Sequence, residues 1–285
     1  MSIYRIKAPA KLNIRLKVID RRPDGYHEIV SIMVPVDLFD LLELKAIPEK
    51  RIELFSAGYS VPNDERNLAY KAAQSFFDKT GIQKGISINL LKKIPVAAGL
   101  GGGSSDAAAV LLSLNEMWPN PLGFSDLHSM AVRLGADVPF FLHCRPSLAR
   151  GIGEILEPLE GWPRFWYVIV SPQIQVPTSW VYQNIKLELT AHEYDSIIGM
   201  LREEDFRISK ILENDLEGVT SSRFPIINTI KKLLVDAGAE GAMMTGSGPS
   251  VFGVFPSADR AVSAKQLIIS QGLGDVFVAT DWRRK

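Results

Sequence analysis

The chain has 285 residues, 46% of them hydrophobic, and its 32 Lys and Arg balance 32 Asp and Glu. That length suits one large domain or two closely joined ones. A neutral chain without a basic run lacks the electrostatic footprint of a nucleic-acid binder and the polybasic segment that an anionic membrane attracts.

A single cysteine, Cys144, excludes an internal disulfide, and its neighbours Phe141, Leu142 and His143 suggest a partly buried thiol used for packing. The four histidines are scattered, with no paired spacing that would hold zinc. The stretch Met1–Lys7 has no apolar signal core. The most apolar run, Phe165–Val170, is far short of the roughly 20 residues that span a bilayer. A cytoplasmic protein without membrane or nucleic-acid partners is expected.

In chain order, Tyr4–Val18 alternates and is partly β-branched, which predicts a strand. Arg21–Gly25 is a turn cluster. Ile29–Val36 and Leu41–Ala46 read as two further strands, Asn67–Phe77 as a helix and Gly85–Leu91 as a strand. A glycine-rich loop then feeds the strong helix former Ala107–Leu114. Ser125–Leu134 reads as an amphipathic helix capped by Ser125. The Pro- and Gly-rich stretch 151–163 is the expected domain seam. Beyond it come a strand at Phe165–Ser171, a helix at Phe224–Ala237, strands at Gly241–Met244 and Val251–Phe255, a helix at Ala258–Ser270 and a strand at Asp275–Ala279. This mixture predicts α+β packing.

The run Gly99–Ser105 has four glycines and two serines at a helix entry. Glycines let the backbone approach a ligand, and a helix start offers free N–H donors and partial positive charge, which suits phosphate. The run lacks the lysine of a P-loop. It also has Ser104 where a dinucleotide fingerprint needs its third glycine. A second Gly/Ser loop, Thr245–Ser250, lies between two strands and reads equally as a tight hairpin. Four other residues have two readings each. Lys11, in an apolar strand, is a solvated charge or a functional cation. Tyr26 and His27 are a core pair or a binding pair. Asp137 is a helix cap or a functional carboxylate able to accept a hydroxyl proton.

Five motifs, in order and spacing, resemble the GHMP kinase superfamily: PAKLN at Pro9–Asn13, RPDGYHE at Arg22–Glu28, PVAAGLGGGSSDAAA at Pro95–Ala109, GADVPFF at Gly135–Phe141 and TGSGPSVFG at Thr245–Gly253. The resemblance implies an α+β two-domain fold, with residues 1–155 and 156–285 as the domains and the active site in the cleft between them. It implies transfer of phosphate from ATP, with Mg²⁺, to an alcohol. PAKLN together with DGYHE points to members whose small-molecule substrate is a cytidine diphosphate-linked methylerythritol.

Carried over residue by residue, Asp137 and Lys11 would be catalytic. Pro95, Val96, Ala97, Ala98, Gly99, Leu100, Gly101, Gly102, Gly103, Ser104 and Ser105 would bind ATP, with Asn67 near the adenine. Asn13, Tyr26, His27, Tyr182, Thr245, Gly246 and Ser247 would bind the substrate, with Trp180 as an alternative to Tyr182 for stacking on cytosine. The metal ligands stay open, Ser104 and Ser105 being candidates, and so does the oligomeric state.

Overall fold

Two long strands, β1 (Ile3–Arg21) and β2 (His27–Ile47), pair antiparallel over nearly their whole length. The structure is a computed structural model, and it describes residues 3–119, 121–185, 199 and 206–284. Register shifts at Pro9/Ala10, Asn13/Arg15 and Val18/Asp20 bend β1 and re-aim its side chains. The sequence predicts two strands where β2 is one. The polar break at Asp37–Asp40 does not end it, because β1 stays paired across that stretch.

β3 (Ile52–Gly58) pairs parallel with β4 (Gly85–Lys92), which lies against the second half of β2. α1 (Leu68–Thr80) connects them. The chain then makes α2 (Gly102–Met117), α3 (Phe124–Leu134) and the short α4 (Val138–His143). β5 (Ser147–Arg150) and β6 (Ile155–Pro158) return to the first sheet. β7 (Trp166–Ser171) starts a second sheet. α5 (Thr178–Asn184), α6 (Ile208–Ile211), β8 (Glu213–Asn214), α7 (Asp215–Arg223) and α8 (Ile226–Asp236) follow. β9 (Gly241–Met244), β10 (Val251–Phe255), α9 (Ala258–Ile269) and β11 (Asp275–Thr280) complete the second sheet, in the order β11-β7-β10-β9. β8 crosses back to lie parallel to β1 in the first sheet.

Three apolar cores follow from this layering. α1 to α4 pack on one face of the first sheet, with Phe76, Ala108, Leu111 and Phe140 at 0% exposure. Leu12, Ile14, Ile32 and Val34 meet Tyr167, Ile169 and Phe252 of the second sheet. α8 and α9 cover the other face of that sheet through Ile227, Ile230, Leu234, Ala264 and Ile268. Burial of this kind supplies the main drive for folding. Among the described residues no helix is long and apolar enough to cross a membrane.

The expected helices and strands form, with shifted ends. α3 starts one residue early, at Phe124, with Gly123 rather than Ser125 at the cap position. α2 reaches back to Gly102, so Ser104 and Ser105 lie in its first turn and do not cap it. β3, β5, β6, β8, α4, α5, α6 and α7 were not expected. The short strands carry too few residues to alternate visibly, and Asp215–Arg223 combines Gly218 with β-branched residues that weaken a helix signal.

Candidate active site

Alternation along β1 has an unusual result. Ala10, Leu12 and Ile14 enter the core, while Lys11, Asn13, Arg15 and Lys17 are buried on the other side. A lysine at 4% exposure is not a solvated charge. Lys11 Nζ hydrogen-bonds Asn13 Oδ1 and lies 3.6 Å from Asp137 Oδ2. Asn13 is fixed in turn: its Nδ2 donates to Ser31 Oγ at 2.8 Å, and its backbone N–H donates to Thr245 Oγ1 at 2.9 Å. Asp137 occupies the cap position of α4 but makes no side-chain capping bond. Its carboxylate therefore faces Lys11 rather than the helix.

The glycine loop is tethered to the same strand, since Lys11 N–H donates to Leu100 O at 2.9 Å. Gly99 (φ 76°) packs so tightly on the second Gly/Ser loop that a Cβ would stand 2.1 Å from Thr245 O. Gly103 is the opposite case: its added Cβ would meet nothing closer than Leu68 Cδ1 at 3.7 Å, so it faces open space at the start of α2. Asn67 caps α1 by accepting from Ala69 N–H at 2.9 Å. The 245–250 turn is supported by Asn214 Nδ2, which donates to Met244 O and Gly246 O at 2.7 and 2.9 Å. Ser247 Oγ meets Thr178 Oγ1 of α5 at 2.9 Å.

Lys11, Asp137 and the two loops border one cavity of about 1070 Å³. Of the residues singled out from the sequence, Lys11, Asn13, Tyr26, His27, Asn67, Pro95, Val96, Ala97, Ala98, Gly99, Gly101, Gly102, Gly103, Ser104, Asp137, Tyr182, Gly246 and Ser247 all reach it. Leu100, Ser105 and Thr245 do not; they are buried behind the wall, at 1%, 1% and 0% exposure. Tyr26 is 58% exposed, which removes the reading of it as a core residue. His27 packs against Tyr182 with ring centroids 5.1 Å apart and ring planes tilted by 31°. Burial lowers the imidazole pKa, and Arg21 adds to the effect. Burial raises the Tyr182 phenol, and the charge of Asp137 pushes the same way. Trp180 instead stacks under the Arg223 guanidinium, 4.6 Å away, and does not line the cavity.

Sequence reasoning missed a charged floor under the glycine loop. Lys92, at the end of β4, bonds Asp40 and lies 2.8 Å from Asp106 Oδ2. Asp40 also accepts from Lys93 and Ile94 N–H at 2.6 and 2.9 Å. Burial holds the Asp106 carboxyl well above the usual carboxylate range, against the pull of Lys92. Lys92 and Asp106 both line the cavity, as do Arg21, Arg66, Thr178 and Gln183. The available signals were weak: a lysine pair after a strand, and an aspartate entering an alanine-rich helix.

Comparison with known proteins agrees with this geometry. The family model for the GHMP kinases N terminal domain matches residues 67–145, and that for the GHMP kinases C terminal matches residues 197–269. The chain is 46% identical to 4-diphosphocytidyl-2-C-methyl-D-erythritol kinase of Syntrophotalea carbinolica, over 93% of this chain and 94% of that one. It is 45% identical to the protein of the same name from Geobacter metallireducens, over 98% of both. A crystal structure of 4-(cytidine 5'-diphospho)-2C-methyl-D-erythritol kinase superposes with TM-score 0.83 at 36% identity, covering 97% of this chain and 98% of that one. A homoserine kinase from Cytophaga hutchinsonii superposes with TM-score 0.78 at 21% identity, covering 99% and 95%, and shares the fold. Two family models that match residues 67–145 and 197–269, and close relatives matched almost end to end, establish that the chain belongs to the GHMP kinase family.

Proposed function

We propose that the chain transfers the terminal phosphate of ATP to the 2-hydroxyl of 4-diphosphocytidyl-2-C-methyl-D-erythritol, a step of non-mevalonate isoprenoid precursor synthesis. The observation that carries this reading is the sequence of groups along one cavity. The glycine loop abuts Lys11, Lys11 faces Asp137, and the same cavity is lined by Tyr182, which packs against His27. A phosphate cradle, a proton-handling pair and an aromatic slot thus follow one another. A molecule with a hydroxyl at one end and a cytosine ring at the other matches that order. The relatives named above carry this activity in their names.

In this reading the N–H groups at the start of α2 and the open face of Gly103 hold the nucleotide phosphates. Asn67 stands beside the adenine. Asp137 orients the acceptor hydroxyl and takes its proton. Lys11 has three N–H donors: one goes to Asn13, one faces Asp137, and the third is free for charge that builds on the reacting oxygens. Most of the rate gain in phosphoryl transfer is positioning and charge stabilisation, which a buried, tethered lysine provides without reorganising. His27 and Tyr182 hold the cytosine, with Asn13, Tyr26, Gly246 and Ser247 around the rest of the substrate.

Among the described residues no group of three His, Cys, Asp or Glu side chains converges on a metal site. The oxygens present still fit Mg²⁺, which binds through one or two protein oxygens, waters and phosphates. Asp106, whose Oδ1 is buried without a partner, and Ser104 both line the cavity. Bound there, Mg²⁺ would neutralise phosphate charge. The division into domains 1–155 and 156–285 is part of this proposal; its boundary falls at the start of β6, the last strand before the chain passes to the second sheet. So is a cytoplasmic setting, which suits a chain with one buried, unpaired thiol.

A panel of alcohols with ATP and Mg²⁺ tests the assignment. Turnover should be selective for the cytidine diphosphate-linked substrate, and comparable turnover of homoserine or mevalonate would overturn it.

A further inference from the structure

The described residues enclose a second cavity, of about 360 Å³, that shares no lining residue with the first. Its wall is assembled from distant parts of the chain. His143 and Cys144 end α4, Arg145 follows, Glu160 comes from the loop after β6, and Arg283 and Arg284 come from the tail after β11. The tail is held there by its backbone, with Trp282 N–H donating to Pro35 O at 2.8 Å.

The charges in this wall do not balance. Three guanidiniums face one carboxylate, Glu160, while burial and Arg145 keep the His143 imidazole neutral. Arg145 approaches that carboxylate only to 3.8 Å, beyond hydrogen-bond distance. Arg283 spends one N–H on Trp162 O at 3.1 Å. Arg284, less exposed than either, forms no ion pair with a described carboxylate, and burial disfavours its charged form more than Glu116 and Cys144 favour it. A partly buried guanidinium that is not ion-paired to a carboxylate is costly, and the cost falls when an anion completes its donor fork. Phosphate oxygens match that planar fork in bidentate fashion. The volume lies near the lower end of small-molecule pockets, of order 300 Å³, so the cavity takes a phosphate or diphosphate group and not a whole nucleotide.

We propose that this second cavity is an anion site for a free phosphate or diphosphate group, held by Arg145, Arg283 and Arg284. The inference does not depend on which substrate the first cavity takes.

Calorimetric titration of the full chain with inorganic pyrophosphate tests it, with the first cavity filled by a non-hydrolysable ATP analogue. One binding event is expected. It should weaken at least about tenfold in the triple variant Arg145→Gln, Arg283→Gln, Arg284→Gln, because three charge-assisted contacts are lost. It should tighten by about threefold or more in Glu160→Gln, which removes the competing carboxylate. The second variant protects the test, because a misfolded chain loses affinity and does not gain it. Absence of binding, affinity indifferent to the triple substitution in a folded protein, or no tightening in Glu160→Gln would each overturn the proposal.

Discussion

Lys11 Nζ and Asp137 Oδ2 stand 3.6 Å apart, close enough to attract and too far for a direct hydrogen bond. A hydroxyl that approaches both satisfies what they leave unmade. Lys11 is locked by burial and by Asn13, so its charge is already in place before the reaction. Replacing it with Met keeps the stem and removes the charge. Lys11→Met should lower kcat by about 10²-fold or more, with KM for ATP changed far less, since the lost interaction belongs to the transition state. Steady-state kinetics with both substrates varied will show whether kcat or KM carries the loss.

Two glycines of the same loop should respond differently to one methyl group. At Gly99 an added Cβ meets Thr245 O at 2.1 Å on a left-handed backbone. Gly99→Ala should therefore cost about 1–3 kcal/mol or more in stability, by strain and by parting the two loops. At Gly103 the Cβ points into free space where phosphate is proposed to lie. Gly103→Ala should fold normally, with a raised KM for ATP. Thermal unfolding and ATP titrations of the two variants separate the effects.

The adjacent rings of His27 and Tyr182 are proposed to hold the cytosine. Loss of a base–aromatic contact costs about 1–3 kcal/mol. Tyr182→Ala should thus raise KM for the cytidine substrate by roughly 5- to 150-fold and leave KM for ATP nearly unchanged. Tyr182→Phe should retain most of the affinity. Because burial and Arg21 keep His27 neutral, binding should weaken only below the ordinary imidazole range, as acid charges the ring.

Cys144 shows what a sequence hides and what it reveals. The expected packing thiol is fully buried, and burial pushes its pKa up to about 12 from an ordinary 9.0. Between those values the folded chain binds more protons than the unfolded one, so this thiol contributes stability below pH 9 that is lost as pH rises towards 12. The native protein should resist alkylation at pH 8 and react on unfolding, which mass spectrometry after a timed iodoacetamide pulse will report.

The legible parts of the chain were those written locally. Alternation gave β1, alanine gave the body of α2, and the glycines of 99–103 marked the helix entry proposed to hold phosphate. The position of Asp137 was legible, but its freedom was not: only the folded chain shows that it leaves the helix uncapped and turns to Lys11. The ion cluster of Asp40, Lys92 and Asp106 depends on β2, β4 and α2 meeting, and no local pattern announces a meeting of residues 52 positions apart. Thr245, read as a lining residue, is a tie between β1 and the second loop, because its hydroxyl is spent on Asn13.

The central claim is that Asp137 acts on the substrate hydroxyl in the transferring step. Single-turnover phosphorylation of 4-diphosphocytidyl-2-C-methyl-D-erythritol by Asp137→Asn, beside the unaltered chain with ATP and Mg²⁺, addresses it directly. The account predicts product phosphorylated at the 2-hydroxyl, at a rate reduced by about 10²- to 10⁴-fold, with nucleotide affinity retained. A variant that transfers phosphate at an undiminished rate would contradict it.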